Sequence, residues 1–288
     1  YLKAGYQAFI LRYSVGKHSV WPNALQDYEQ AMEMIRTKAE EWKIFSDKIA
    51  VIGFSAGGHL AAAAATMSKN RPNAAILGYP VTGSDVKGCC ATAPDTISCV
   101  DKNTCPCFIF ATRTDAVVPV MNSIRFMEAL VQADISFESH IYSYGPHGFS
   151  TCDTSVQSGD TTISSRVPNW VSDSIGWLKE VFGDFGNGEM TKPVCKAHVT
   201  DNDGEFLSVD CTFGSVMGKP EGWKVVEGFL GGAGKQEKPE GQEAPQMTPE
   251  MISMASGMKL RQILEYAHMP EEVIEQVNDQ LSMIPNQR

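Results

Sequence analysis

One strand-to-helix junction constrains this chain more than any other feature. Lys48 to Gly53 reads KIAVIG, a short apolar and β-rich run that suits a strand buried on both faces. From about Gly57 to Ser68 the sequence turns alanine-rich, which suits a helix packed closely on a sheet. Between them lies Gly53-Phe54-Ser55-Ala56-Gly57, a G-x-S-x-G pattern. A sharp turn at this point lifts the serine side chain above the sheet edge, and the flanking glycines Gly53 and Gly57 tolerate strained backbone and a close helix. The helix N-terminus then offers amide N–H groups to developing negative charge, with Ala56 the first donor. A phosphate-binding glycine-rich turn is the competing reading, but no basic residue lies inside this loop.

The rest of residues 1–185 repeats the alternation of strand and helix. Strands are expected at Gln7 to Tyr13, Lys48 to Gly53, Ala74 to Tyr79, Cys107 to Thr112 and Ser136 to Tyr142. The helix after Pro22 places Leu25, Tyr28, Met32, Ile35, Ala39 and Trp42 on one stripe. Further helices are expected from about Val120 to Gln132 and from Asn169 to Phe182. Strands joined through helices imply crossover connections and a mostly parallel sheet with helices on both faces, an α/β fold.

Residues 186–288 differ in character. They carry −7 of the net charge of −10, against −3 for residues 1–185. Gly231 to Pro249 is rich in Gly, Pro, Glu and Gln and reads as a flexible linker. Helical patterns flank it at Pro220 to Leu230, Pro249 to Ala267 and from Pro270 onward, forming a helical extension. Its methionine stripe, Met251, Met254 and Met258, is expected to fill a core, and its helices are candidates for self-association. The acidic balance argues against nucleic acid and anionic membrane as partners. No run reaches the length of a membrane span. The eight cysteines are Cys89, Cys90, Cys99, Cys105, Cys107, Cys152, Cys195 and Cys211, and their spacing favours reduced thiols over disulfides or a metal. No cofactor or metal is called for. The compartment stays open, with cytoplasm favoured over secretion.

A serine nucleophile needs a base, and the base needs an orienting acid. Asp115 follows the strand ending at Thr112, and His147 follows the strand ending near Tyr142. Both fall in post-strand loops on the sheet edge that carries Ser55. Asp134 precedes a strand, on the wrong edge. His140 lies within a strand and His59 in the helix after the serine. His18, His198 and His268 lack a post-strand loop in the right order.

The residues Leu11 to Val15, Ile52 to Ala61, Gly78 to Val81, Asp115 to Val120 and Gly145 to Phe149 together resemble the α/β-hydrolase esterases of the acetyl-xylan-esterase and bacterial carboxylesterase type. The resemblance covers about residues 1–183. It implies metal-free hydrolysis of short-chain acyl esters, often acetyl groups on sugars, with Ser55 as nucleophile, Asp115 as acid and His147 as base. The chain departs from that family in lacking an H-G-G-G-like loop, which normally supplies the second oxyanion donor, and the first upstream strands. It is therefore expected to be an N-terminally truncated portion of a longer protein, with little activity alone, since one lost oxyanion donor costs about 10²–10³ in rate. The segment Thr82 to Thr104, where this fold often inserts a cap, is short and suggests an open site for a bulky alcohol. The alternatives are a prolyl-oligopeptidase-like serine peptidase and an inactive hydrolase scaffold that acts as a binding module.

Overall fold

The computed structural model describes residues 1–88, 90–152, 162–185, 188–200, 204–233 and 253–286. The chain forms two compact units, Tyr1–Val199 and Thr200–Arg288.

The first unit is built on four parallel strands: β1 (Ala50–Phe54), β2 (Ala74–Gly78), β3 (Cys107–Thr112) and β4 (Phe137–Tyr142), in the order β1-β2-β3-β4. Helices α1 (Asn23–Thr37), α2 (Ala56–Met67), α3 (Met121–Gln132) and α4 (Trp170–Phe182) accompany them. The two inner strands explain the layering. Along β3, Phe108 and Phe110 join Trp170 and Trp177 of α4 on one face, while Cys107 and Ile109 join α2 alanines and Phe126 and Leu130 of α3 on the other. The same period of two splits β2, with Ala74 and Ile76 on the α4 face and Ala75 and Leu77 on the opposite one. Every residue of both strands is buried, which is why they read as unbroken apolar runs. Full burial of Phe108, Phe110 and Phe126 each stabilises by about 1.5–3 kcal/mol relative to exposure. Helix α1 packs Leu25, Tyr28 and Met32 on Leu60, Ala63 and Ala64 of α2.

The run Gln7 to Tyr13 forms no strand, so the described residues hold four strands against the five that the sequence suggests. Among the described residues no backbone bond ties it to β1. Side chains anchor it instead: Tyr6, just before it, packs on the α4 side, Phe9 lies against Trp42, and Leu11 and Tyr13 pack against α1 and α2. Ile10 is left 95% exposed, which a buried strand would not permit.

This unit also runs past residue 185. Ser136 N–H donates to Ala197 O at 2.9 Å, Val199 N–H to Asp134 O at 3.1 Å, and Ile135 bridges His198.

The second unit holds α5 (Phe213–Met217), α6 (Pro220–Ala233), α7 (Leu260–Tyr266) and α8 (Glu271–Leu281). They close around Leu207, Phe213, Val226, Leu264, Ile274 and Val277. Thr212 caps α5, its hydroxyl accepting from Ser215 N–H. Most of the expected linker, and Met251, lie outside the described residues. Met254 and Met258 are exposed rather than core-filling, and from this stretch it is Ala255 that packs against the core.

Candidate active site

Ser55 is the residue between β1 and α2, and it adopts φ 55° and ψ −118°. Backbone held in such a region costs about 1–3 kcal/mol and persists only when its surroundings over-determine it. Here they do. Ser55 N–H donates to Gly78 O at 3.0 Å, and Ser55 O accepts from His59 N–H at 3.1 Å and Val81 N–H at 3.3 Å. The serine is thus clamped between the end of β2 and the first turn of α2.

Two glycines make the clamp sterically possible. A Cβ on Gly53 would lie 2.0 Å from Gly57 O, and one on Gly58 would lie 2.8 Å from Pro80 Cβ. A Cβ on Gly57 would meet nothing closer than Tyr13 Oη at 3.6 Å. The close approach of helix to strand therefore rests on Gly53 and Gly58, and the second glycine of the motif has room to spare. Ala56 opens α2, and its N–H has no backbone acceptor among the described residues. It is free for an incoming anion, as helix N-termini are.

Asp115 and His147 come from the loops after β3 and β4. The Asp115 side chain is 1% exposed, yet its carboxylate is fully engaged. Oδ1 accepts from Val117 N–H and Val118 N–H, both at 2.9 Å, and Oδ2 pairs with His147 Nδ1 at 2.7 Å. His147 Nε2 lies 2.7 Å from Ser55 Oγ. A buried carboxylate holds Nδ1 as the donor, so Nε2 faces the serine hydroxyl as an acceptor. The three residues selected from sequence are thus joined in one continuous hydrogen-bonded chain.

The supports of this chain were not apparent from sequence. Thr112 Oγ1 donates to Gly145 O at 2.8 Å, and Thr114 Oγ1 accepts from Gly145 N–H at 3.0 Å. They pin the start of the histidine loop to the end of β3. Tyr79 packs edge-on against the His147 ring with centroids 5.0 Å apart, and its hydroxyl accepts from Ser150 N–H at 3.1 Å. Burial raises the Tyr79 pKa, so the phenol stays protonated beside the imidazole. The only sequence-level signal for Tyr79 is its place in the Gly78-Tyr79-Pro80-Val81 match.

The other candidates fall elsewhere. His59 is buried, with Nε2 2.9 Å from Pro94 O, and burial lowers its pKa. His140 lies on β4 beside Glu138. Asp134 sits at the opposite end of the sheet, before β4, in left-handed backbone with φ 63°. Among the described residues no group of His, Cys, Asp and Glu could hold a metal, and the seven described cysteines are free thiols. Cys89 lies outside the described residues.

Residues 1–74 match the BD-FAE family. A solved structure, MGS-M1, an alpha/beta hydrolase enzyme from a Medee basin deep-sea metagenome library, is 42% identical, with a TM-score of 0.58 over 62% of this chain and 73% of that one. The chain belongs to the α/β hydrolases. Its parallel sheet, helix-covered on both faces, is the fold expected from sequence. The hydrolase is also 31% identical over 186 residues to endo-1,4-beta-xylanase B of Butyrivibrio fibrisolvens, a match covering 54% of this chain and 29% of that protein. It is 31% identical over 169 residues to the acetylxylan esterase of Xylanibacter ruminicola, covering 51% and 35% respectively. The hydrolase therefore spans about a third of the length of the curated relatives it matches.

Proposed function

We propose that this hydrolase is a serine esterase that removes short acyl groups, acetyl foremost, from sugar hydroxyls such as those of xylan. The observation that carries the reading is the unbroken Ser55–His147–Asp115 hydrogen-bond chain, which starts on a strained serine at a helix N-terminus. The match to an acetylxylan esterase supports the substrate class.

In this mechanism His147 Nε2 takes the Ser55 proton as Oγ attacks the ester carbonyl. The carbonyl oxygen becomes an oxyanion at the start of α2, where Ala56 N–H donates to it. As the intermediate collapses, His147 returns the proton to the departing sugar alcohol and leaves an acyl group on Ser55. Water then enters, gives its proton to His147 and releases the acid. Asp115 stays ionised throughout and stabilises the imidazolium. No step calls for a metal or cofactor. Residues 1–199 carry this chemistry, and Thr200–Arg288 is a separate helical extension.

The test is fluorophosphonate labelling, with acetate release from acetylated xylan measured beside cleavage of a prolyl amide. Labelling at Ser55, acetate release, and loss of both in Ser55→Ala are expected. Faster prolyl-amide cleavage would support the peptidase alternative. Acetate release surviving Ser55→Ala would end the proposal.

A further inference from the structure

The relay uses one side of each catalytic loop, and the other side builds a wall that the chemistry leaves unexplained. Val81 donates its N–H to the Ser55 carbonyl, and Val118 donates its N–H to Asp115. Both valine side chains are buried in one small apolar cluster with Val86 and Ala93, against which Trp21 packs. The indole of Trp21 also meets the His59 ring edge-on, with centroids 5.6 Å apart, one helical turn beyond the serine. Trp21 is therefore one layer removed from both ends of the relay.

It is also held there. Trp21 N–H donates to Thr92 Oγ1 at 2.8 Å, and the Cys90 thiol donates to Ser19 O at 3.3 Å. His59 is fixed in turn by Pro94 O. The loop bearing Trp21 is thus fastened to the short segment that takes the place of a cap. The indole is only partly buried, and its Nε1–H has no partner among the described residues. A partly exposed aromatic ring with an unused N–H one layer from a reacting centre suits a ligand that is both ring-shaped and hydroxylated. An acetyl group offers one methyl and cannot use such a face. The alcohol half of a sugar ester can, with ring C–H groups on the indole and a hydroxyl accepting from Nε1–H.

We propose that Trp21 is a specificity-determining residue, the platform on which the sugar ring of the substrate lies. This rests on the esterase reading above and assigns its alcohol selectivity to one side chain.

Wild-type protein, Trp21→Ala and Trp21→Phe are compared on an acetylated xyloside and on ethyl acetate, whose alcohol has no ring. Acid release is followed at constant pH, and the fold of each variant is checked by thermal melting. An aromatic contact of this kind corresponds to a loss of about three- to tenfold. KM for the xyloside is expected to rise by about that factor in Trp21→Ala and by less in Trp21→Phe. The kcat/KM for ethyl acetate is expected to stay within about twofold of wild type. Equal losses on the two substrates, or no change on either, would overturn the assignment while leaving the esterase reading intact. A folded wild-type protein that hydrolyses neither ester and also resists fluorophosphonate labelling at Ser55 would instead remove the esterase reading. Should Trp21→Ala fail to fold, Trp21→Phe decides alone, together with xylobiose quenching of tryptophan fluorescence in Ser55→Ala. Quenching that persists when Trp21→Phe is added to that variant also counts against the platform.

Discussion

Replacing Asp115 with asparagine separates what this residue does for the relay from what it does for the fold. The carboxylate accepts three N–H groups: Val117 and Val118 on Oδ1, and His147 Nδ1 on Oδ2. In Asp115→Asn the amide oxygen can keep both valine bonds, so the loop remains satisfied. The amide nitrogen then faces His147 Nδ1 and donates to it. That reverses the tautomer, puts the imidazole proton on Nε2, and leaves nothing to accept the Ser55 proton. Loss of the correct tautomer costs about 10⁴ in kcat with geometry otherwise intact. Asp115→Ala behaves differently, because it strands the buried Val118 N–H at about 1–3 kcal/mol and should lower stability as well as rate. The assay is the rate of fluorophosphonate labelling of Ser55 together with acetate-ester turnover, and a denaturant titration of each variant. Labelling slowed by several orders of magnitude, with Asp115→Asn close to wild type in stability and Asp115→Ala well below it, is expected. An asparagine variant that labels within tenfold of wild type would refute the tautomer argument.

Two further predictions concern the elbow and the tyrosines. Gly58→Ala forces a methyl to within 2.8 Å of Pro80 and should displace the start of α2, losing labelling at Ser55, whereas Gly57→Ala should be tolerated. Parallel labelling and melting of the two variants checks this. Tyr142 has its pKa pushed up to about 12 by burial and then by Asp173, and burial also raises Tyr1, Tyr6 and Tyr79. The folded state holds these protons more tightly than the unfolded state, whose tyrosines titrate near pH 10. That contribution is complete below about pH 10 and is lost as pH rises towards about 12, so stability should fall over that window. Tyr142→Phe should shallow the fall in an alkaline stability series, and an unchanged slope would contradict the assignment.

Local pattern determined much of this protein. The serine turn, the order of Ser55, Asp115 and His147, and the runs that became β2 and β3 are legible because each depends on neighbours within a few residues. A strand buried on two faces must be apolar throughout, and a loop after a parallel strand must emerge at one edge of the sheet. What tertiary structure decided depends on partners distant in sequence. Gln7 to Tyr13 has the composition of a strand, but a strand exists only through a hydrogen-bonded neighbour, and β1 offers it none. Gly58 carries the close approach because Pro80 arrives there, and no spacing within the motif reveals that. Thr112, Thr114 and Tyr79 hold the histidine loop through bonds spanning about thirty to seventy residues. The residues that react were visible one at a time, and only the fold could show what holds them at hydrogen-bond distance.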